Sequence, residues 1–202
     1  MVPKRMLIAL LLAAAPASLE LDVAGGVALP LADTPQNGPG APALQARAGA
    51  DLFEHLTVSA ALLGVAGAQT ARPFCASPCK GNASFRAISG FLALRLHTAG
   101  DLQAFVEGGI GPGHLISVSP DDLFENPPQH GRGGPAYLVA VGGRGFVSRQ
   151  LALGLEVAWT KWTNVSRPAF VSGATSFPAR SDLSVDAIAL LVVVSWSAGR
   201  SE

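Results

Sequence analysis

Charge, cysteine and aromatic side chains are all scarce in this 202-residue chain. Charged residues make up 14% and cancel to a formal net charge of zero, so no long-range field recruits nucleic acid or an anionic surface. Cys75 and Cys79 are the only cysteines. They are separated by one residue more than in a redox CxxC motif, and no further ligands for a metal stand nearby. In an oxidising compartment the pair predicts a local loop disulfide. Beyond the N-terminus no apolar run approaches the ~20 residues of a spanning helix, and the longest, Ala187 to Val194, is only strand-sized. Yet 49% of the residues are hydrophobic and the mean hydropathy is positive. Such a chain buries its apolar surface in a soluble core or, as alternating strands, against lipid.

The N-terminus assigns the compartment. Lys4 and Arg5 form a short basic region, Met6 to Ala15 is uninterruptedly apolar, and Ala15-Pro16-Ala17 places small residues at cleavage-site spacing. This predicts a secretory signal peptide over 1–17, leaving 18–202 as one domain.

That domain alternates rather than cycling at helical period. Eight strands are expected at about Leu19 to Pro30, Ala43 to Leu52, Leu56 to Ala66, Phe85 to His97, Asp101 to Gly111, Tyr137 to Val147, Leu151 to Trp162 and Leu183 to Trp196. In the seventh, Leu151, Leu153, Leu155, Val157 and Trp159 share one face, and Ala152, Gly154, Glu156, Ala158 and Thr160 the other. Alternation is symmetrical between a soluble barrel and a membrane barrel. The second face decides: it holds mostly Ala, Gly and Ser with an occasional charge, which suits a crowded interior and not a solvated exterior. Linker lengths agree. Short connections at 53–55, 98–100 and 148–150 alternate with long ones at 31–42, 67–84, 112–136 and 163–182, the rhythm of periplasmic turns and external loops. The expected fold is therefore all-β, an eight-stranded antiparallel transmembrane β-barrel following a signal peptide.

The hairpin from Phe91 to Gly113, with its short turn and glycine-rich second strand, resembles the central hairpin of small outer-membrane β-barrel proteins of the OmpA/OmpX type. The resemblance runs over nearly all of 18–202. It implies a bacterial outer-membrane location and lipid as the surrounding partner. Two features depart from the family pattern: Trp196 is followed by six further residues where a terminal aromatic is common, and aromatics are only 6% of the chain. Tyr137, Trp159, Trp162 and Trp196 are the expected interfacial aromatics.

Strand parity puts Glu20, Asp22, Arg47, Asp51, Arg95, His97, Glu107, Arg144 and Glu156 in the lumen. Unpaired charges there would be costly, so ion pairs are expected, with Glu107–Arg144 and Glu20–Arg47 as the chosen partners. This predicts a closed, charge-paired lumen rather than a channel.

No catalytic constellation is expected, nor any cofactor or metal. The acidic group Asp121, Asp122 and Glu125 lacks the glycine and ligand pattern of a calcium loop. The resemblance also implies an enzyme alternative, since some small outer-membrane barrels modify lipid A, a deacylase of that kind having Ser and His two positions apart on the lipid-facing side near the external rim. Here His114 faces outward, but Ile116 stands two residues on, and Ser117 and Ser119 have opposite parity unless a bulge at Gly111 to Gly113 shifts the register. The expected function is a monomeric, non-enzymatic scaffold whose long loops present a surface to an extracellular ligand. The alternatives are a lipid-modifying barrel enzyme and a soluble periplasmic barrel holding an apolar ligand.

Overall fold

The computed structural model describes residues 18–31, 40–70, 83–118, 129–130, 133–167, 170–172, 175–177 and 180–198. The expected signal peptide, Cys75 and Cys79, and the acidic group 121–125 lie outside these residues. Eight long strands form the wall: β1 (Leu19–Leu31), β2 (Ala41–Phe53), β3 (Leu56–Thr70), β4 (Ala83–His97), β5 (Leu102–Val118), β7 (Gly134–Phe146), β8 (Leu151–Arg167) and β11 (Arg180–Ala198). Short β6 (Gln129–His130) adds to the loop end of β5, and β9 (Phe170–Ser172) pairs with β10 (Thr175–Phe177).

The wall runs β4-β3-β2-β1-β11-β8-β7-β5, and pairing of β4 with β5 closes it into a barrel of antiparallel neighbours. Closure leaves none of the eight strands with a free edge, the condition for backbone to cross hydrocarbon. Opposed residues can be followed around the wall from Leu19 through Ala50, Val58, Leu94, Gly108, Val139, Trp159 and Ile188. The path returns to β1 at Leu29, ten residues further on. With a rise of ~3.3 Å per residue and ~4.8 Å between strands, that stagger tilts the strands by about 40° and sets a backbone radius of about 8 Å. A lumen so narrow holds side chains and little else.

Short turns join β2 to β3, β4 to β5 and β7 to β8, all at the end where β1 starts and β11 finishes. In the β4–β5 turn Gly100 adopts φ +101°, a left-handed conformation that glycine takes without steric cost. In the β7–β8 turn Ser148 Oγ accepts from the Leu151 amide at 3.1 Å. The opposite end differs from expectation in extent: β5 continues through Pro112 to Val118, β8 runs to Arg167, and β11 begins at Arg180. The linkers expected at 112–136 and 163–182 are therefore shorter than their Pro and Gly content implied. Pro112 is tolerated because the β4–β5 ladder skips Gly90 and Phe91 against Gly111 and Pro112, so no ladder hydrogen bond is asked of the missing N–H.

Every wall strand is two-faced. Leu21, Leu44, Leu92, Val106, Leu155 and Val192 typify a belt of large apolar side chains on the outside, while Ala28, Ala43, Ala140, Glu107, Arg95 and Glu156 are buried inside. Soluble monomers rarely expose a contiguous apolar patch beyond a few hundred Å², so this surface is built to face hydrocarbon.

Candidate functional site

The lumen has two levels. Toward the short turns it is polar; toward the long linkers it is lined by Ala with Leu63, Val65, Phe91, Leu115, Leu138 and Trp162. The polar level is the most organised chemistry in the molecule.

Its frame comes from strand register. Asp22 on β1 stands opposite Arg47 on β2, and Arg95 on β4 opposite Glu107 on β5. Both pairs form: Arg47 Nη1 donates to Asp22 Oδ2 at 2.8 Å, and Arg95 Nε to Glu107 Oε2 at 2.9 Å. The remaining ion pairs cross the lumen between strands that are not neighbours. Arg95 donates through Nη1 to Glu20 Oε1 at 2.5 Å and through Nη2 to Asp22 Oδ2 at 2.9 Å. Arg47 Nη2 lies 3.1 Å from both carboxylate oxygens of Glu156. Two contacts are close as charges but off-line as hydrogen bonds: Arg47 Nη2 with Glu107 Oε1 at 3.0 Å, and Arg144 Nη2 with Glu20 Oε2 at 2.6 Å. Arg144 also takes Gln103 Oε1 at 2.9 Å. With its amide turned so that oxygen meets Arg47, Gln45 donates to Glu156 Oε1 at 3.1 Å.

Glu20, Asp22, Arg47, Arg95, Glu107, Arg144 and Glu156 thus form one network, with all seven side chains at most 4% exposed. Two guanidiniums also sit over rings, Arg95 at 4.4 Å from Phe105 and Arg144 at 5.5 Å from Phe146. The two expected partnerships are replaced: Arg144 meets Glu20 rather than Glu107, and Arg47 meets Asp22, Glu107 and Glu156 rather than Glu20. The reason is register: on neighbouring strands Glu107 stands opposite Ala140, four residues from Arg144, and Glu20 opposite Gly49, two from Arg47. Arg95–Glu107 was detectable beforehand, because the two residues are symmetrical about the short turn between β4 and β5.

A second cluster closes the turn-end mouth. Asp51 accepts from Ser18 Oγ and, at 2.6 Å, from Thr57 Oγ1, while its own amide donates to the Ser18 carbonyl at 3.0 Å. His97 Nε2 lies 3.8 Å from Asp51 Oδ1, and the His55 ring stands edge-on to His97.

Among the four expected interfacial aromatics, Tyr137 and Trp196 are exposed on the outer face and Trp159 is half-buried there. Trp162 requires correction. It is 1% exposed inside the lumen, where its Nε1 donates to Ser89 Oγ at 2.6 Å and its ring packs beside Gly113. Its position three residues after Trp159 reverses parity, a signal that reveals the inward face.

Outward-facing His114 keeps the parity of β5: Leu115 is buried and Pro112 exposed, so Gly111 to Gly113 cause no register shift. His114 opposite Ile88 and Ser117 opposite Phe85 share one register, and Ser119 lies outside the described residues.

No protein-family model and no curated protein sequence matches the chain. Solved structures do. Neisserial surface protein A, NspA, aligns over 88% of this chain and 96% of its own, with a TM-score of 0.58 and 7% identity. Ail of Yersinia pestis aligns over 90% and 98%, with 0.54 and 9%. The N-terminal β-barrel domain of Pseudomonas aeruginosa OprF aligns over 91% and 98%, with 0.51 and 7%. At such identities the likeness is one of fold, and the chain has the fold of small eight-stranded outer-membrane β-barrels of the OmpA/OmpX type.

Proposed function

We propose that this chain is a monomeric, non-enzymatic barrel of the bacterial outer membrane, exported by residues 1–17. Its lumen is closed, and the segments joining the long strands present a surface to the cell exterior. The observation that carries this reading is the seven-member charge network. Four carboxylates and three guanidiniums from β1, β2, β4, β5, β7 and β8 reach across a lumen of about 8 Å backbone radius and pair with one another. A water-filled pathway needs polar groups that bind and release solute, whereas here each charge is committed to a protein partner. Catalysis would need a nucleophile and base within hydrogen-bond reach of ~3 Å. Outward-facing His114 is followed two residues on by Ile116, which offers no nucleophile.

Recognition then falls to the external segments, as loops on a rigid scaffold commonly carry binding. Ail, a barrel of this fold, has been solved in complex with the heparin analogue sucrose octasulfate. Cys75 and Cys79 would brace one such segment by a local disulfide, which peptide mass mapping without reductant detects as a linked pair. Planar-bilayer recording of purified protein tests the closed lumen. No stable conductance above the lipid baseline is expected, and a stable open channel would refute the scaffold reading.

A further inference from the structure

The outer face is not uniform around the barrel. Over β8 and β11 it carries Leu151, Leu153, Leu155, Val157, Leu190, Val192 and Val194, a continuous thickness of large side chains. Over β2, β3 and β4 the outward positions include Ala46, Ala48, Ala60 and Gly90, and the surface is hollowed there. The hollow is a groove of about 790 Å³. Register shows its course: one bank follows Leu21, Ala48, Ala60, Leu92 and Ile110, which stand opposite one another on successive strands from β1 to β5. It therefore crosses four inter-strand gaps, about 19 Å at ~4.8 Å each. Because the barrel stagger carries such a row from Leu19 up to Leu29 in one circuit, the groove climbs obliquely toward the long-linker end.

At its upper end the groove meets a smaller hollow of about 340 Å³, which shares Leu62, Gly90 and Pro112 and is bordered by His114. This junction is where the β4–β5 ladder is interrupted. On the same outward face Ile88 stands opposite His114, which makes Arg86 and His114 diagonal neighbours across the strand pair, within roughly 7–8 Å. An apolar trough thus ends below two basic side chains at the level where an external leaflet places its head groups.

Building on the membrane assignment above, we infer that this groove holds one anionic phospholipid-type molecule of the external leaflet. An acyl chain lies along Ala48, Ala60 and Gly90, and its phosphate sits at Arg86 and His114. The apolar walls continue the lipid-facing belt, and the Arg86 guanidinium, with the His114 imidazole as a hydrogen-bonding neighbour, supplies the charge complement that selects a net-anionic head over a zwitterionic one.

The test is native mass spectrometry of the purified full-length barrel in non-ionic detergent, with phosphatidylglycerol or phosphatidylcholine of identical chains as probes. One phosphatidylglycerol per barrel is expected, retained at least tenfold better than phosphatidylcholine. The double substitution Arg86→Gln, His114→Gln should abolish that preference. Ala60→Phe, which fills the trough, should lose retention of both lipids, and Val157→Phe on the far side should change neither. Heat-modifiable gel mobility confirms folding of each variant. A wild type without it would defeat the membrane-barrel reading itself rather than the lipid site. Equal retention of the two lipids, or retention unaffected by Ala60→Phe, would overturn the inference. So would a dimer that Ala60→Phe dissociates, since a second copy would then be the occupant.

Discussion

At the scale of single residues, Arg95 ties the lumen together, because its guanidinium serves carboxylates on β1 and β5 at once. Removing it would leave Glu20, Asp22 and Glu107 short of a counter-charge in a site closed to water. Arg95→Met is expected to destabilise the barrel by about 3–5 kcal/mol, read from the urea midpoint of unfolding in detergent. Trp162→Phe removes the donor to Ser89 and should cost about 1–3 kcal/mol in the same measurement. These residues were unequally legible in the sequence. Parity placed all seven network members on the inner face, and the turn symmetry of Arg95 and Glu107 needs no further information. Arg144–Glu20 joins β7 to β1 across the lumen, so it depends on the barrel stagger, which no local pattern contains. Trp162 was not legible as an interior residue from its type, because an aromatic near a strand end also fits an interfacial girdle, and only its parity, opposite to that of Trp159, points inward.

At the scale of elements, the β4–β5 hairpin combines the clearest sequence pattern with the least regular pairing. Its glycine-rich second strand invited a bulge at Gly111 to Gly113, yet β5 keeps its in-out alternation and the irregularity appears as a gap in the ladder. Close approach explains one of these glycines. A Cβ on Gly111 would run into the Gly90 carbonyl oxygen, whereas one on Gly108 would meet nothing within 4 Å. Gly111→Ala should therefore lower stability by about 1–3 kcal/mol, and Gly108→Ala should stay within about 0.5 kcal/mol of wild type, both by urea titration. The turn ends of the strands were legible from Gly and short linkers. The opposite ends were not, since β5, β8 and β11 continue past Pro- and Gly-containing sequence by pairing with the wall strand on the other side of each linker, as Gly113 does with Gly134 and Arg167 with Arg180.

At the scale of the whole molecule, the chain is a barrel with large apolar residues outside and an ion-paired polar level inside, the inverse of a soluble protein. What composition contributed was the small, charge-poor second face, and what only three dimensions supplied was the unevenness of the outer surface. A charge placed on the apolar face at mid-depth should be expensive: Leu155→Arg is expected to cost about 2–4 kcal/mol in bilayer refolding. The most direct test of the inside-out barrel is a spin-label scan of single cysteines at 152–158 along β8, in bilayers with dissolved oxygen as the apolar relaxant. The account predicts high oxygen accessibility at 153, 155 and 157 and low accessibility at 152, 154, 156 and 158. The reverse alternation, or a period of about 3.6 residues, would contradict it.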